Sequence, residues 1–276
     1  MNAITEIVAV GDYSAILYER IGEIARISHN RPGQRNAENT PLLDELDKAV
    51  AHAVADPEVR VIIIAGTGDH FSAGHDLKEA IGERRHYTVE QRWAYEETRY
   101  FGYAMKLWDS PKPTIAQVQG ACVAGAFMVA NMCDLVVASK DAYFADPVCQ
   151  SLAAASVEVL VHPWVMGLRK AKEFLFTGER MTAEEAHRIG MINRLVERAE
   201  LEEATLDLAR KVARTPAFAL SLTKRSLNRT ADLQGFRNAL NAHFETHQLS
   251  HVTEETRLIR EQGSAAAIST GKSAIV

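Results

Sequence analysis

Residues 61–65 read Val61-Ile62-Ile63-Ile64-Ala65 and stop at Gly66. Four β-branched residues in a row leave no polar alternate to face water, and the run is too short for a helix. It therefore reads as a strand covered on both faces, the kind found inside a parallel sheet flanked by helices. The neighbouring segments fit that frame. Residues 14–18 and 23–28 alternate apolar and polar at period two, as half-buried strands do. Thr40 is an N-cap candidate with Pro41 at the first helical position, and Leu42, Leu43, Leu46, Val50 and Val54 then recur at helical spacing up to Asp56-Pro57. A polar, aromatic helix is expected over about 88–109 and a strand over 114–119 after Pro111-Lys112-Pro113. A small-residue helix follows Gly120, with further strands at 135–138 and 143–144. From Trp164 onward helices dominate, including 182–189 and 200–214. This order predicts an α/β fold with a helical C-terminal region.

Composition narrows the setting. Lys and Arg number 31 against 36 Asp and Glu, a net charge of -5, which argues against a chain built to coat nucleic acid or an anionic membrane. The three cysteines lack paired spacing, so neither a disulfide framework nor a zinc knuckle is expected, and a reducing cytoplasm fits. Asp12, Glu19 and Arg20 interrupt the first twenty residues, and no later run matches a spanning helix, so a cytoplasmic protein is expected. The tail 263–276 is small and polar and is expected to fray.

Two glycine- and alanine-rich loops follow buried strands and run into expected helices: residues 70–77, with Ser72-Ala73-Gly74-His75, and residues 120–126, with Ala124-Gly125-Ala126. Amides at the first turn of a helix lack intrahelical partners and lie at the positive end of its dipole. Two such loops facing each other suit an oxygen that gains negative charge, and one such donor is typically worth about 100- to 1,000-fold in rate.

The stretches Phe71-Ser72-Ala73-Gly74-His75-Asp76-Leu77, Pro111-Lys112-Pro113-Thr114-Ile115-Ala116, Gly120-Ala121 through Gly125, Asn131-Met132-Cys133-Asp134-Leu135 and Phe176-Thr177-Gly178-Glu179-Arg180-Met181 resemble, in order and spacing, the enoyl-CoA hydratase/isomerase (crotonase) superfamily. The resemblance implies a crotonase-like spiral of ββα units, with a core domain at 1–200 and a helical cover or oligomerisation region at 201–276. It also implies a homotrimer or dimer of trimers, and an acyl-CoA substrate whose thioester sits between the amides of His75 and Gly125. Coenzyme A enters with the substrate, and no other cofactor is implied. The positions of the two hydratase glutamates hold Met128 and Val148, neither of which moves a proton; they line the implied acyl pocket. For coenzyme A, the implied contacts are Arg31, Gln34, Arg35, Ala73 and Lys224.

Other groups must then carry protons. Asp146 is a candidate base or nucleophile, or a turn cap before Pro147. Glu158 and His162 would share one face if their segment were helical and would form an acid/base pair; a surface pair or a satisfied core histidine is the alternative. The His75 ring either adds proton-transfer capacity or simply packs. His243, His247 and His251 are spaced by four, but without further ligands no metal site is expected. The leading reading is an enzyme that stabilises a thioester enolate, in isomerisation, hydrolysis or atypical hydration. An acyl-CoA binder without catalysis is the alternative, and a serine peptidase on a related spiral is a third that requires a histidine beside Ser72.

Overall fold

A computed structural model describes residues 7–261; the tail expected to fray lies outside them. The chain opens with β1 (Ile7–Ala9), β2 (Ile16–Ile21) and β3 (Ile24–His29), an antiparallel meander. Helix α1 (Thr40–Ala55) leads to β4 (Val61–Gly66), which pairs parallel to β3. The cap of α1 is Asn39, whose side chain accepts from the Leu42 amide, with Pro41 in the first turn. The sequence places two cap-forming types side by side, and the earlier one serves.

Next come α2 (Leu77–Gly82), α3 (Val89–Glu96), a π-helical turn at Glu97–Phe101 and α4 (Gly102–Asp109), then β5 (Thr114–Val118), β6 (Ala121–Val123), α5 (Gly125–Met132), β7 (Leu135–Ser139) and β8 (Tyr143–Ala145). The stretch beyond Gly120 is thus a short strand before it becomes a helix. After these lie α6 (Val148–Leu152), α7 (His162–Met166), α8 (Leu168–Thr177), β9 (Met181–Thr182), α9 (Ala183–Arg188), β10 (Arg194–Val196), α10 (Leu201–Ala213), α11 (Ala217–Leu233), α12 (Phe236–Ser250) and α13 (Glu254–Glu261).

The main sheet runs β1-β2-β3-β4-β5-β7-β10, parallel from β3 onward, and β6-β8-β9 form a smaller sheet. Strand β4 shows why its sequence has no polar alternate. Ile62 and Ile64 join the large core under α1, α4 and α5, whereas Val61, Ile63 and Ala65 face Leu201, Leu206 and Ala209 of α10. Both faces are dry. The successive strand, loop and helix units make the expected α/β fold, and they bring the ends of β4 and β5 and the small sheet to one region.

Candidate active site

The two small-residue loops meet there. Ser72 donates its amide to the Ala121 carbonyl and its carbonyl accepts from Val123. Gly74, at φ +79°, packs so closely that a Cβ would lie 2.4 Å from the Val123 oxygen and 3.1 Å from the Gly125 nitrogen. Glycine is required at that contact. Ala124 enters α5 at φ 51°, an uncommon conformation for a non-glycine residue, and hands over to Gly125 at the first turn. Among the described residues neither the His75 nor the Gly125 amide donates to a backbone acceptor.

A second loop clamps His75. The Glu38 amide donates to the Gly74 carbonyl at 2.8 Å, and the Asp76 amide donates to the Glu38 carbonyl at 3.0 Å. This places the Glu38 carboxylate 3.2 Å from His75 Nδ1, while Glu158 sets both of its oxygens 3.0 Å from Nε2. Tyr100 stacks on the ring at 3.7 Å between centroids. The ring also lies against Gly125, where a Cβ would come within 2.3 Å of His75 Cε1. Burial opposes protonation of His75, but the two carboxylates outweigh it and hold the pKa up at about 10. Burial likewise opposes ionisation of Glu158, and the charge of His75 outweighs it, so its carboxyl stays below its usual range. An imidazolium clamped between two carboxylates is the state expected near neutrality. Glu38 Oε1 is buried and has no hydrogen-bond partner among the described residues.

The expected Glu158–His162 pair does not form. Residues 153–161 are not helical: Ala153 and Ser156 take left-handed backbone, 156–159 are all buried, and Glu158 meets the His75 ring. His162 instead stacks on Phe127 and lies 3.3 Å from Asp146 Oδ2, without hydrogen-bond alignment. Asp146 accepts from the Ser156 hydroxyl and the Val148 amide, so it does serve as a turn cap, and neither it nor His162 is exposed at all.

Met128 and Val148 are both buried in the main core. Ser72 spends its hydroxyl on the Asn36 carbonyl and the Gly74 amide, and among the described residues no histidine is its partner. Arg31 holds Asp76, the cap of α2, at 3.0 Å, whereas Gln34 and Arg35 are exposed on the same loop. Ala73 donates its amide to the Arg35 carbonyl. Lys224 corrects the expectation of a nucleotide contact: its ammonium is enclosed, 2.8 Å from Asp134 and bonded to the Leu107 and Lys112 carbonyls. Lys224→Met is expected to lower stability by about 3 kcal/mol, because it strands a partly buried carboxylate, and to leave coenzyme A affinity within twofold. Chemical denaturation and calorimetric titration with coenzyme A check both halves.

Sequence reasoning missed Glu38 and Tyr100, which no local motif marks. It also passed over the clustering of Glu96 with His247 and His251, whose closest atoms lie 3.0 to 3.9 Å apart.

Residues 19–266 match the family model described as enoyl-CoA hydratase/isomerase. The chain belongs to that family. EchA13 of Mycobacterium tuberculosis, whose name marks it as a candidate enoyl-CoA hydratase, is 42% identical over 87% of this chain and 81% of its own. A short-chain-enoyl-CoA hydratase of Clostridium acetobutylicum is 31% identical over 78% of this chain and 81% of its own. The crystal structure of an enoyl-CoA hydratase/isomerase from Xanthobacter autotrophicus Py2 superposes with a TM-score of 0.87 at 36% identity, covering 94% of this chain and 97% of that one. Within this enoyl-CoA hydratase/isomerase chain, the clamp of Glu38, His75 and Glu158 is the cluster of titratable groups at the junction of the two loops.

Proposed function

We propose that the protein is an acyl-CoA enzyme that polarises a thioester carbonyl between the His75 and Gly125 amides and moves a proton at the adjacent carbon with Glu158 and His75. The observation that carries this reading is the position of the His75 ring. It lies against Gly125, beside the amide that would bind the carbonyl oxygen, with Glu158 on its Nε2. A carbonyl oxygen held by two amides makes the neighbouring C–H more acidic, and a carboxylate one contact away is a suitable base. The imidazolium then offsets the negative charge that builds up on the enolate. Asp146 and His162 are left out of the proton transfer, because both Asp146 oxygens are already engaged and both residues are fully enclosed. Met128 and Val148 fill the positions where a hydratase of this family keeps its glutamates, so the reading favours isomerisation or α-proton chemistry over two-glutamate hydration.

The same reading carries coenzyme A contacts from Gln34, Arg35, Ala73 and Arg31, a cytoplasmic setting, and no cofactor beyond the substrate's own coenzyme A. Among the described residues no helix is long and apolar enough to cross a membrane. The exposed Phe218, Leu227 and Leu233 of α11 suit burial between copies in a homotrimer or dimer of trimers.

The test is incubation with saturated and 2-enoyl-CoA thioesters in deuterated water. Deuterium entering the carbon next to the thioester, read by mass spectrometry, is the expected result. Tight binding without exchange or turnover would establish the non-catalytic binder instead, and no binding would remove the acyl-CoA reading for those esters.

The clamp also fixes a pH dependence. The folded pKa of His75 lies above its ordinary 6.5, so its contribution to stability is fully present below about 6.5 and is lost as pH rises through about 10. Thermal melting across pH 7 to 10 is expected to fall more steeply for the native chain than for His75→Gln, and equal slopes would refute the clamp.

A further inference from the structure

One cluster of ligand-type side chains lies outside the proposed chemistry. His247 and His251 are one helical turn apart at the end of α12 and share a face, and Glu96 reaches them from the last residue of α3, just before the π-helical turn. His243, at the same spacing, is not part of the group, because its Nε2 is taken up by the Val157 carbonyl at 2.8 Å. The three converging atoms are His247 Nε2, His251 Nε2 and Glu96 Oε2. They are separated by 3.0 Å between the histidines, 3.4 Å from His247 to Glu96 and 3.9 Å from His251 to Glu96. A tetrahedral ion with bonds of about 2.1 Å sets its ligand atoms about 3.4 Å apart. The observed triangle is of that size.

The surroundings orient these atoms as ligands are oriented around a metal. His247 Nδ1 lies 3.0 Å from the Ser156 carbonyl, so a proton on Nδ1 turns the Nε2 lone pair into the cluster. Gln248 donates to Glu96 Oε2 at 2.7 Å and Arg92 to Oε1 at 3.2 Å, which fixes the carboxylate plane. Glu96 and His247 are enclosed, and His251 is the member that reaches solvent, which gives an ion a way in. Two imidazoles and one carboxylate suit a borderline divalent ion better than calcium or magnesium.

We infer that Glu96, His247 and His251 form a binding site for a single zinc-type divalent cation, with a fourth position toward Glu158, whose Oε1 is 3.8 Å from His247 Nε2. The inference does not depend on the acyl-CoA reading. A cation there would be one carboxylate away from His75, so its occupancy would adjust the charge around the clamp through Glu158.

The full-length protein, stripped with chelator, is titrated with cobalt(II) while visible absorption is recorded, and with zinc by calorimetry. The expected result is one equivalent bound, with the intense d–d bands of tetrahedral cobalt. Glu96→Gln, His247→Gln and His251→Gln should each weaken binding at least about 100-fold, and His243→Gln should leave it unchanged. His251→Gln, at the rim, keeps the test valid if the buried variants misfold, and melting curves report folding for each. Absence of the bands, or binding that His251→Gln retains, would overturn the inference and leave an ion-paired histidine cluster.

Discussion

Replacing Glu158 by glutamine is expected to slow α-proton exchange and any turnover of acyl-CoA substrates by about 100- to 10,000-fold, the range over which a positioned general base contributes. Affinity for the same esters should stay within a few-fold. The substitution keeps the side-chain volume and a hydrogen bond toward His75 Nε2, and removes only the charge and the basicity. It also removes the strongest support for the His75 imidazolium, so the pH profile of any residual activity should change shape. Exchange followed by mass spectrometry, with binding by calorimetry, separates the two effects. Undiminished exchange would move the base to another residue, with Glu38 and its unpartnered Oε1 as the nearest candidate.

A methyl group at Gly125 is the second large effect. In Gly125→Ala the new carbon would come within 2.3 Å of His75 Cε1, 2.4 Å of Nδ1 and 2.6 Å of Glu38 Oε2. The ring must swing away, taking the clamp apart and pushing the amide out of line with the His75 amide. Loss of one such donor is worth about 100- to 1,000-fold in rate, and overpacking adds about 1 to 3 kcal/mol of destabilisation. Steady-state kinetics with a melting curve checks both. Full activity in a well-folded Gly125→Ala variant would show that the two loops are structural.

The sheet was legible because its signals are local. Val61 to Ala65 could be read as doubly covered from five residues, and α10 supplies the second cover. The α1 boundary moved by one residue because Asn39 and Thr40 are both cap-forming types, and the choice rests on which side chain reaches the Leu42 amide. The two small-residue loops were legible from their composition and order, and the structure brings them into contact. The clamp was not, since Glu38 and Glu158 meet His75 across 37 and 83 positions of chain and only the fold brings them together. The expected Glu158–His162 pair rested on a helical segment, and the left-handed backbone at Ala153 and Ser156 that breaks it is not marked by either residue type. Lys224 was expected at coenzyme A from the resemblance, and its enclosure by Asp134 and two carbonyls could not be read locally, because they lie 90 to 117 positions away in the chain.

The most direct test of the central claim is the carbonyl stretching frequency of an acyl-CoA labelled with carbon-13 at its thioester, measured by infrared difference spectroscopy in the bound state. Two amides donating to the oxygen predict a shift to lower frequency on binding, diminished in Gly125→Ala. A bound thioester whose carbonyl frequency equals that in water would contradict the account.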